Sequence, residues 1–141
     1  GAGLKGWLPE RDGILSALLF LEMLASLKKK TSQLTQSLTK EFGHSYFLRK
    51  DYTLSMPINK GEFVNKILPL IPEKILNTKV KEVYTFDGIK IIFSDDSWLL
   101  LRPSGTEPLF RSYAETDSLE KTKKLLVFGK KLVYNLSAGS R

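Results

Sequence analysis

The apolar positions change period partway along the chain. From Gly13 to about Lys30 the run ILSALLFLEMLASLKKK is apolar around most of a helical circumference, interrupted by a narrow polar stripe of Glu22, Ser26 and Lys29. This predicts a helix that must be covered on nearly all sides, with Asp12 as its N-cap. A second helix is predicted from Thr31 or Ser32 to Gly43. Leu34, Leu38 and Phe42 recur there every four residues, and a glycine suits the position just past a helix end. Residues 1–11 read as loop, and residues 45–57 as an extended crossover, with a strand as the alternative. A third helix is predicted from about Lys60 to Ile71, with Phe63, Val64, Ile67, Leu68 and Ile71 on its apolar face. Pro69 frays or shortens its end and Pro72 stops it.

After Pro72 the alternation becomes two-residue. Lys79–Phe86 reads as a strand, Asp87-Gly88 as a two-residue hairpin turn, and Ile89–Phe93 as the partner strand. Asp95-Asp96 turns the chain again, Ser97–Arg102 is a third strand and Leu109–Glu115 a fourth. Asp117 or Ser118 caps a last helix reaching about Leu136, and residues 137–141 read as a frayed tail. The prediction is an α+β architecture: a four-stranded, mainly antiparallel sheet with helices packed on one face, spanning residues 46–141. Residues 1–45 supply two helices and no self-sufficient core.

Composition narrows the chemistry. The 141 residues are 42% hydrophobic and 26% charged, an ordinary globular balance. With no cysteine, disulfides, thiolate metal sites and thiol catalysis are excluded; this fits a cytoplasmic protein. The segment Ile14–Leu27 is too short and too often interrupted to span a membrane. The formal net charge of +7 favours anionic partners, and the excess lies mostly in residues 46–141. Lys28-Lys29-Lys30 is read as the basic end of a helix, complementing its dipole. His44, beside a helix-ending glycine, is assigned no chemistry.

The segment with the most chemistry is Arg102-Pro103-Ser104-Gly105-Thr106-Glu107-Pro108, between the third and fourth strands. Two prolines restrict the backbone at its ends, and Gly105 lets a ligand approach the main chain closely. The amides of Ser104, Gly105 and Thr106 are expected to converge as an anion-binding nest. The hydroxyls of Ser104 and Thr106 add donors, and Arg102 adds a fork that matches phosphate. Each charge-assisted hydrogen bond contributes about 1.5–3 kcal/mol. Glu107 would repel an anion, so its expected role is to anchor Arg102 or Arg111 or to bond the loop's own amides. On physics alone the alternative is a tight turn with ordinary Ser/Gly/Thr chemistry.

The run RPSGTEP followed by Arg111-x-Tyr113-x-Glu115 resembles the phosphate-binding loop in the last domain of the α-D-phosphohexomutases, the phosphoglucomutases and phosphomannomutases. Leu8-Pro9-Glu10-Arg11-Asp12-Gly13-Ile14-Leu15 and the helix after it resemble the end of that family's third, α/β domain. The resemblance thus implies residues 1–45 as the C-terminal helices of that domain and 46–141 as the phosphate-binding domain. It implies Arg102, Ser104, Gly105 and Thr106 as phosphate contacts, with Arg111 beside them; an ion pair from Arg111 to Glu107 or Glu115 is the competing role. It implies Arg11 near the substrate, against a salt bridge at the helix start, and Trp7 along the cleft, against simple packing of a loop tryptophan. The expected partners are a hexose phosphate, with glucose or mannose favoured over glucosamine, and the remaining domains of the enzyme. The phosphoserine, the sugar-binding loop, and the sites for Mg2+ and the hexose 1,6-bisphosphate activator are expected outside this chain, so the chain alone is expected to be non-catalytic. No membrane partner is expected. A small basic nucleic-acid-binding or interaction module is the competing class; dispersed basic residues and strand aromatics without an evident stacking pair argue against it. The helix over 13–30 is expected to self-associate or to pack onto residues 46–141 where its partners are missing.

Overall fold

The structure is a computed structural model that describes residues 3–6 and 11–138, with side chains to residue 135. Trp7, residues 8–10 of the first family-like segment and residues 139–141 lie outside the described residues. Internal contacts divide the chain into two compact units, Gly1–Gly43 and His44–Arg141.

The first unit contains α1 (Gly13–Leu27) and α2 (Thr31–Phe42), neither with a buried residue. Asp12 caps α1 as expected, its carboxylate accepting from the Leu15 amide at 2.9 Å. The helix stops earlier than the apolar run suggests because Lys28 turns left-handed at φ 50°. Its amide meets the Ala25 and Leu24 carbonyls there, so the lysine triplet begins at the cap itself rather than in the last turn.

The second unit is α+β, but its sheet has six strands rather than four. They are β1 (Tyr46–Thr53), β2 (Lys74–Ile75), β3 (Thr78–Tyr84), β4 (Ile89–Phe93), β5 (Trp98–Pro103) and β6 (Leu109–Thr116). Their spatial order is β1-β6-β5-β4-β3-β2, antiparallel throughout. The extra strands lie at the two edges. β1 runs the full length of β6, from Tyr46 opposite Thr116 to Thr53 opposite Leu109. Its alternation is hidden because Lys50 stands between Leu48 and Tyr52 on the inward side, and inward-facing charge is an edge-strand device that discourages further pairing. β2 is two residues long, too short for any periodicity.

One face of the sheet carries the core. Ile89, Ile91, Phe93, Leu99, Leu101, Phe110 and Ala114 are all 1% exposed or less. They meet Phe63 and Ile67 of α3 (Lys60–Ile67) and Leu125, Leu126 and Val133 of α4 (Leu119–Ala138). Helix α3 ends four residues before Ile71 because Pro69 falls in a 3-10 turn, Leu68–Leu70, where its missing N–H does least harm. Asn59 caps its start, accepting from the Glu62 amide at 2.9 Å. Helix α4 passes close to the sheet at Gly129, where an added Cβ would lie 2.7 Å from Leu101 Cδ2 and 3.3 Å from Ser112 Oγ.

The β3–β4 connection also departs from expectation. Tyr84 pairs with Lys90, so residues 85–88 form the connection in place of a two-residue turn. Phe86 is 95% exposed at its tip. Gly88, at φ +106°, presses against β5: a Cβ there would lie 2.9 Å from Arg102 Cα and closer still to the Leu101 carbonyl oxygen. The turn leans on the neighbouring strand, and the glycine makes that approach sterically feasible.

Candidate phosphate site

Strand pairing decides which side chains share a face. Arg102 of β5 is directly opposite Arg111 of β6, and Arg111 is directly opposite Asp51 of β1. Their neighbours Leu101, Pro103, Phe110 and Ser112 point into the core, so the two arginines stand on the open face, at the mouth of loop 104–108. Cross-strand partners lie about 4.5–5.5 Å apart at Cα, and like charges directly opposite destabilise a sheet. Two guanidinia in that relation are a natural setting for a bridging anion.

The available carboxylates only partly neutralise them. Arg102 Nε pairs with Asp87 Oδ2 at 2.7 Å, and the other Asp87 oxygen is taken by Lys60. Neither Arg102 Nη nitrogen has a hydrogen-bond or ion-pair partner among the described residues, and its side chain is 41% exposed. Arg111 is held loosely, with Nε 3.7 Å from Asp51 and Nη2 3.6 Å from Glu107. Both distances exceed hydrogen-bonding range, and the buried Nε has no hydrogen-bond partner. Asp51 is already committed to Arg49, which forks onto it at 2.8 and 2.7 Å. That hydrogen bond is the main reason the Asp51 carboxyl lies below its ordinary pKa, while the one from Lys60 does the same for Asp87. Around the loop, Arg49, Lys60, Arg102 and Arg111 outnumber Asp51, Asp87 and Glu107 by one.

Inside the loop the Ser104 amide does not join the nest expected from sequence. Ser104 is 6% exposed. Its amide donates to the Leu109 carbonyl at 2.9 Å, which closes the base of the loop. Its Oγ accepts from the Glu107 amide at 3.3 Å and more distantly from Thr106 at 3.5 Å. Ser104 thus shapes the bend, and its amide is unavailable for the three-amide nest expected from sequence. Gly105 and Thr106 are exposed, and the Gly105 amide has no partner among the described residues. Nothing lies within 4 Å of where a Gly105 Cβ would stand. Arg11 is exposed immediately before the α1 cap, in the other unit.

Three contributors escaped the sequence reading: Asp87, Asp51 and Lys60. Asp87-Gly88 signalled a turn, but its contact with Arg102 depends on the turn leaning across β4. The open face also carries an aromatic cluster, with Phe47 centred 6.0 Å from Trp98 and 6.3 Å from Tyr113. Lys90 covers Trp98 at 4.6 Å and Arg49 covers Tyr113 at 5.5 Å, so these rings are partly occupied by their own neighbours. Among the described residues, no group of three or more His, Asp or Glu side chains is placed to hold a metal ion, and no helix is long and apolar enough to cross a membrane.

The fold and the site together define an α+β unit with an anion-compatible loop between adjacent sheet strands. Residues 69–128 match the family described as phosphoglucomutase/phosphomannomutase, C-terminal domain. The chain belongs to this family, through its C-terminal domain. It is 35% identical over 123 residues to "Phosphoglucomutase/phosphomannomutase" of Thermococcus kodakarensis, a match covering 87% of this chain and 24% of that protein. A "Probable phosphoglucosamine mutase" of Pyrococcus horikoshii is 35% identical over 127 residues, 90% of this chain and 26% of that one. A "Phosphoglucosamine/phosphogalactosamine mutase" of Sulfurisphaera tokodaii is 36% identical over 123 residues, 87% and 25% respectively. The chain spans about a quarter of the length of these relatives.

Proposed function

We propose that residues 102–111 bind the phosphate that is not being transferred in a sugar-phosphate mutase, holding one end of the substrate while phosphoryl transfer proceeds at the other. The observation that carries this reading is the facing pair Arg102–Arg111 beneath a loop whose Gly105 amide is exposed. Arg102 presents its Nη edge, Arg111 supplies a guanidinium short of hydrogen bonds, and Gly105 and Thr106 add amide and hydroxyl donors. Ser104 holds the bend closed through its amide and oxygen and offers its O–H to the anion. Fixing the distal phosphate converts a loosely tethered sugar into an aligned one, which lowers the barrier through orientation rather than bond making.

In this reading the whole enzyme is an isomerase of the intramolecular phosphotransferase kind, moving a phosphate between the 1- and 6-positions of a hexose. In the same reading the phosphoserine, Mg2+ and bisphosphate activator belong to other parts of the protein. Residues 1–45 then belong to the third domain, with Arg11 a further candidate contact, and the protein works in the cytoplasm. Glucose and mannose phosphates are the substrates the Arg111-x-Tyr113-Ala114-Glu115 run favours. The relatives named as glucosamine mutases bring glucosamine phosphate into the same set.

An NMR titration of the chain with glucose 1-phosphate, inorganic phosphate and a short RNA tests the proposal. Both phosphate ligands are expected to shift resonances of residues 102–111, with a dissociation constant of about 1 mM, near −4 kcal/mol. Arg102→Ala is expected to abolish those shifts. Shifts produced by RNA alone, centred on Phe47, Trp98 and Tyr113 or on Lys121, Lys123, Lys124, Lys130 and Lys131, would overturn it in favour of a nucleic-acid-binding module.

A further inference from the structure

We infer that Asp87 is a positioning residue for Arg102: it holds the guanidinium by Nε so that the Nη edge faces the anion. This rests on the phosphate-binding reading of the loop.

Three features of the turn support the assignment. Gly88 seats it directly on the backbone of Leu101 and Arg102, at a spacing no side chain would permit. The carboxylate is divided between two cations, one oxygen on Lys60 at the start of α3 and the other on Arg102 Nε. Lys60 follows Asn59, whose side chain caps α3, and α3 is anchored in the core by Phe63 and Ile67. A continuous chain of contacts therefore runs from the core through α3, Lys60 and Asp87 to Arg102.

The exposure of this pair decides how it should be read. Both side chains are about two-fifths exposed, and an ion pair that open contributes little to stability. What it does is restrict a long side chain with many rotamers before the ligand arrives, which lowers the ordering entropy lost on binding. Nε is the atom whose capture leaves the outer Nη fork free, and that fork is the part of arginine that matches two phosphate oxygens. Asp87 is also a negative charge close to an anion site. If it were only a competing counter-ion, removing it would tighten phosphate binding. A positioning residue gives the opposite sign.

The test is the affinity of the 141-residue chain for inorganic phosphate and for glucose 1-phosphate, followed by NMR. Asp87→Ala is expected to weaken both about three- to tenfold, although it makes the site more positive. Asp87→Asn, which retains an oxygen for Arg102 Nε, is expected to restore most of the loss. Unchanged or tighter binding by Asp87→Ala overturns the inference. Arg102→Ala separates this from the underlying reading. If Arg102→Ala binds phosphate normally, the phosphate site itself fails; if only Asp87→Ala binds normally, the positioning role alone fails. Should Asp87→Ala not fold, the Arg102 Nε–H resonance of the unaltered chain decides. Its shift is expected to change little at phosphate saturation, since the ion pair with Asp87 persists, and a move to the solvent-exposed value would mean that phosphate displaces Asp87.

Discussion

Replacing Gly88 by alanine puts a methyl group where the turn touches β5. The new Cβ would stand 2.9 Å from Arg102 Cα and nearer to the Leu101 carbonyl oxygen, and both obstacles are backbone. Neither can swing aside as a side-chain end can. The backbone angle, φ +106°, is itself unfavourable for an L-residue and costs about 1–3 kcal/mol. Relieving the overlap requires moving the turn or β5, at about 1–3 kcal/mol more. The combined loss is about 2–6 kcal/mol. For a unit of this size each kcal/mol lowers Tm by about 4–8 °C, so a fall of about 10 °C or more is expected. Urea unfolding followed by Trp98 fluorescence, in a Trp7→Phe background, isolates the second unit. Its midpoint should drop with an unchanged slope. Phosphate affinity should fall as well, because Asp87 moves with the turn. A stability loss under about 1 kcal/mol would refute the claim that this contact is tight.

Gly105→Ala is the contrasting case. With nothing within 4 Å and no positive φ, it should leave the unfolding midpoint unchanged or raise stability by up to about 1 kcal/mol, while severalfold weaker phosphate binding by NMR would show that the ligand approaches this backbone. Phe63→Ala removes a fully buried ring that meets Phe110 and should cost about 3–5 kcal/mol in a urea titration. Asp51 and Asp87 have depressed pKa values in the folded state, so their contribution is fully present above the unfolded value of about 4 and is lost as pH falls through the folded value. The urea midpoint should therefore be flat from pH 7 to about pH 5, then decline, and Asp51→Asn with Asp87→Asn should blunt that decline. In the first unit, Leu18 and Leu21 of α1 are 58% and 59% exposed. Light scattering should show mass above the 16.0 kDa monomer as concentration rises, with Leu18→Lys plus Leu21→Lys returning it to the monomer.

The parts legible in sequence were those set by neighbours along the chain. The apolar period of β4, β5 and β6, the Asp12 cap and the early end that Pro69 gives α3 all act over a few residues, and each found its place. β1 was indistinct because its partner strand begins more than 50 residues later and because Lys50 breaks its inward alternation. In the loop, residue types indicated anion chemistry but not the division of labour. Only the strand register reveals that Arg102 faces Arg111. Only the folded bend reveals that the Ser104 oxygen accepts from loop amides while its O–H is left to donate. Asp87 was unreadable as a partner of Arg102, because a two-residue turn would have pointed it elsewhere.

The position of β1 has a kinetic consequence. Strands β3 to β6 form a meander of short connections, whereas β1 docks only by closing a far longer stretch of chain, the kind of non-local step that comes late in folding. The meander alone can assemble Arg102, Arg111 and the bend. Arg49 and Asp51 join them when the outermost strand zips onto β6. An edge strand is also the first to fray, so local opening at β1 would strip Arg111 of its flanking groups while the core stays intact. Amide exchange should then show β1 opening at lower free energy than β5, with phosphate slowing exchange in β1 as well as in the loop.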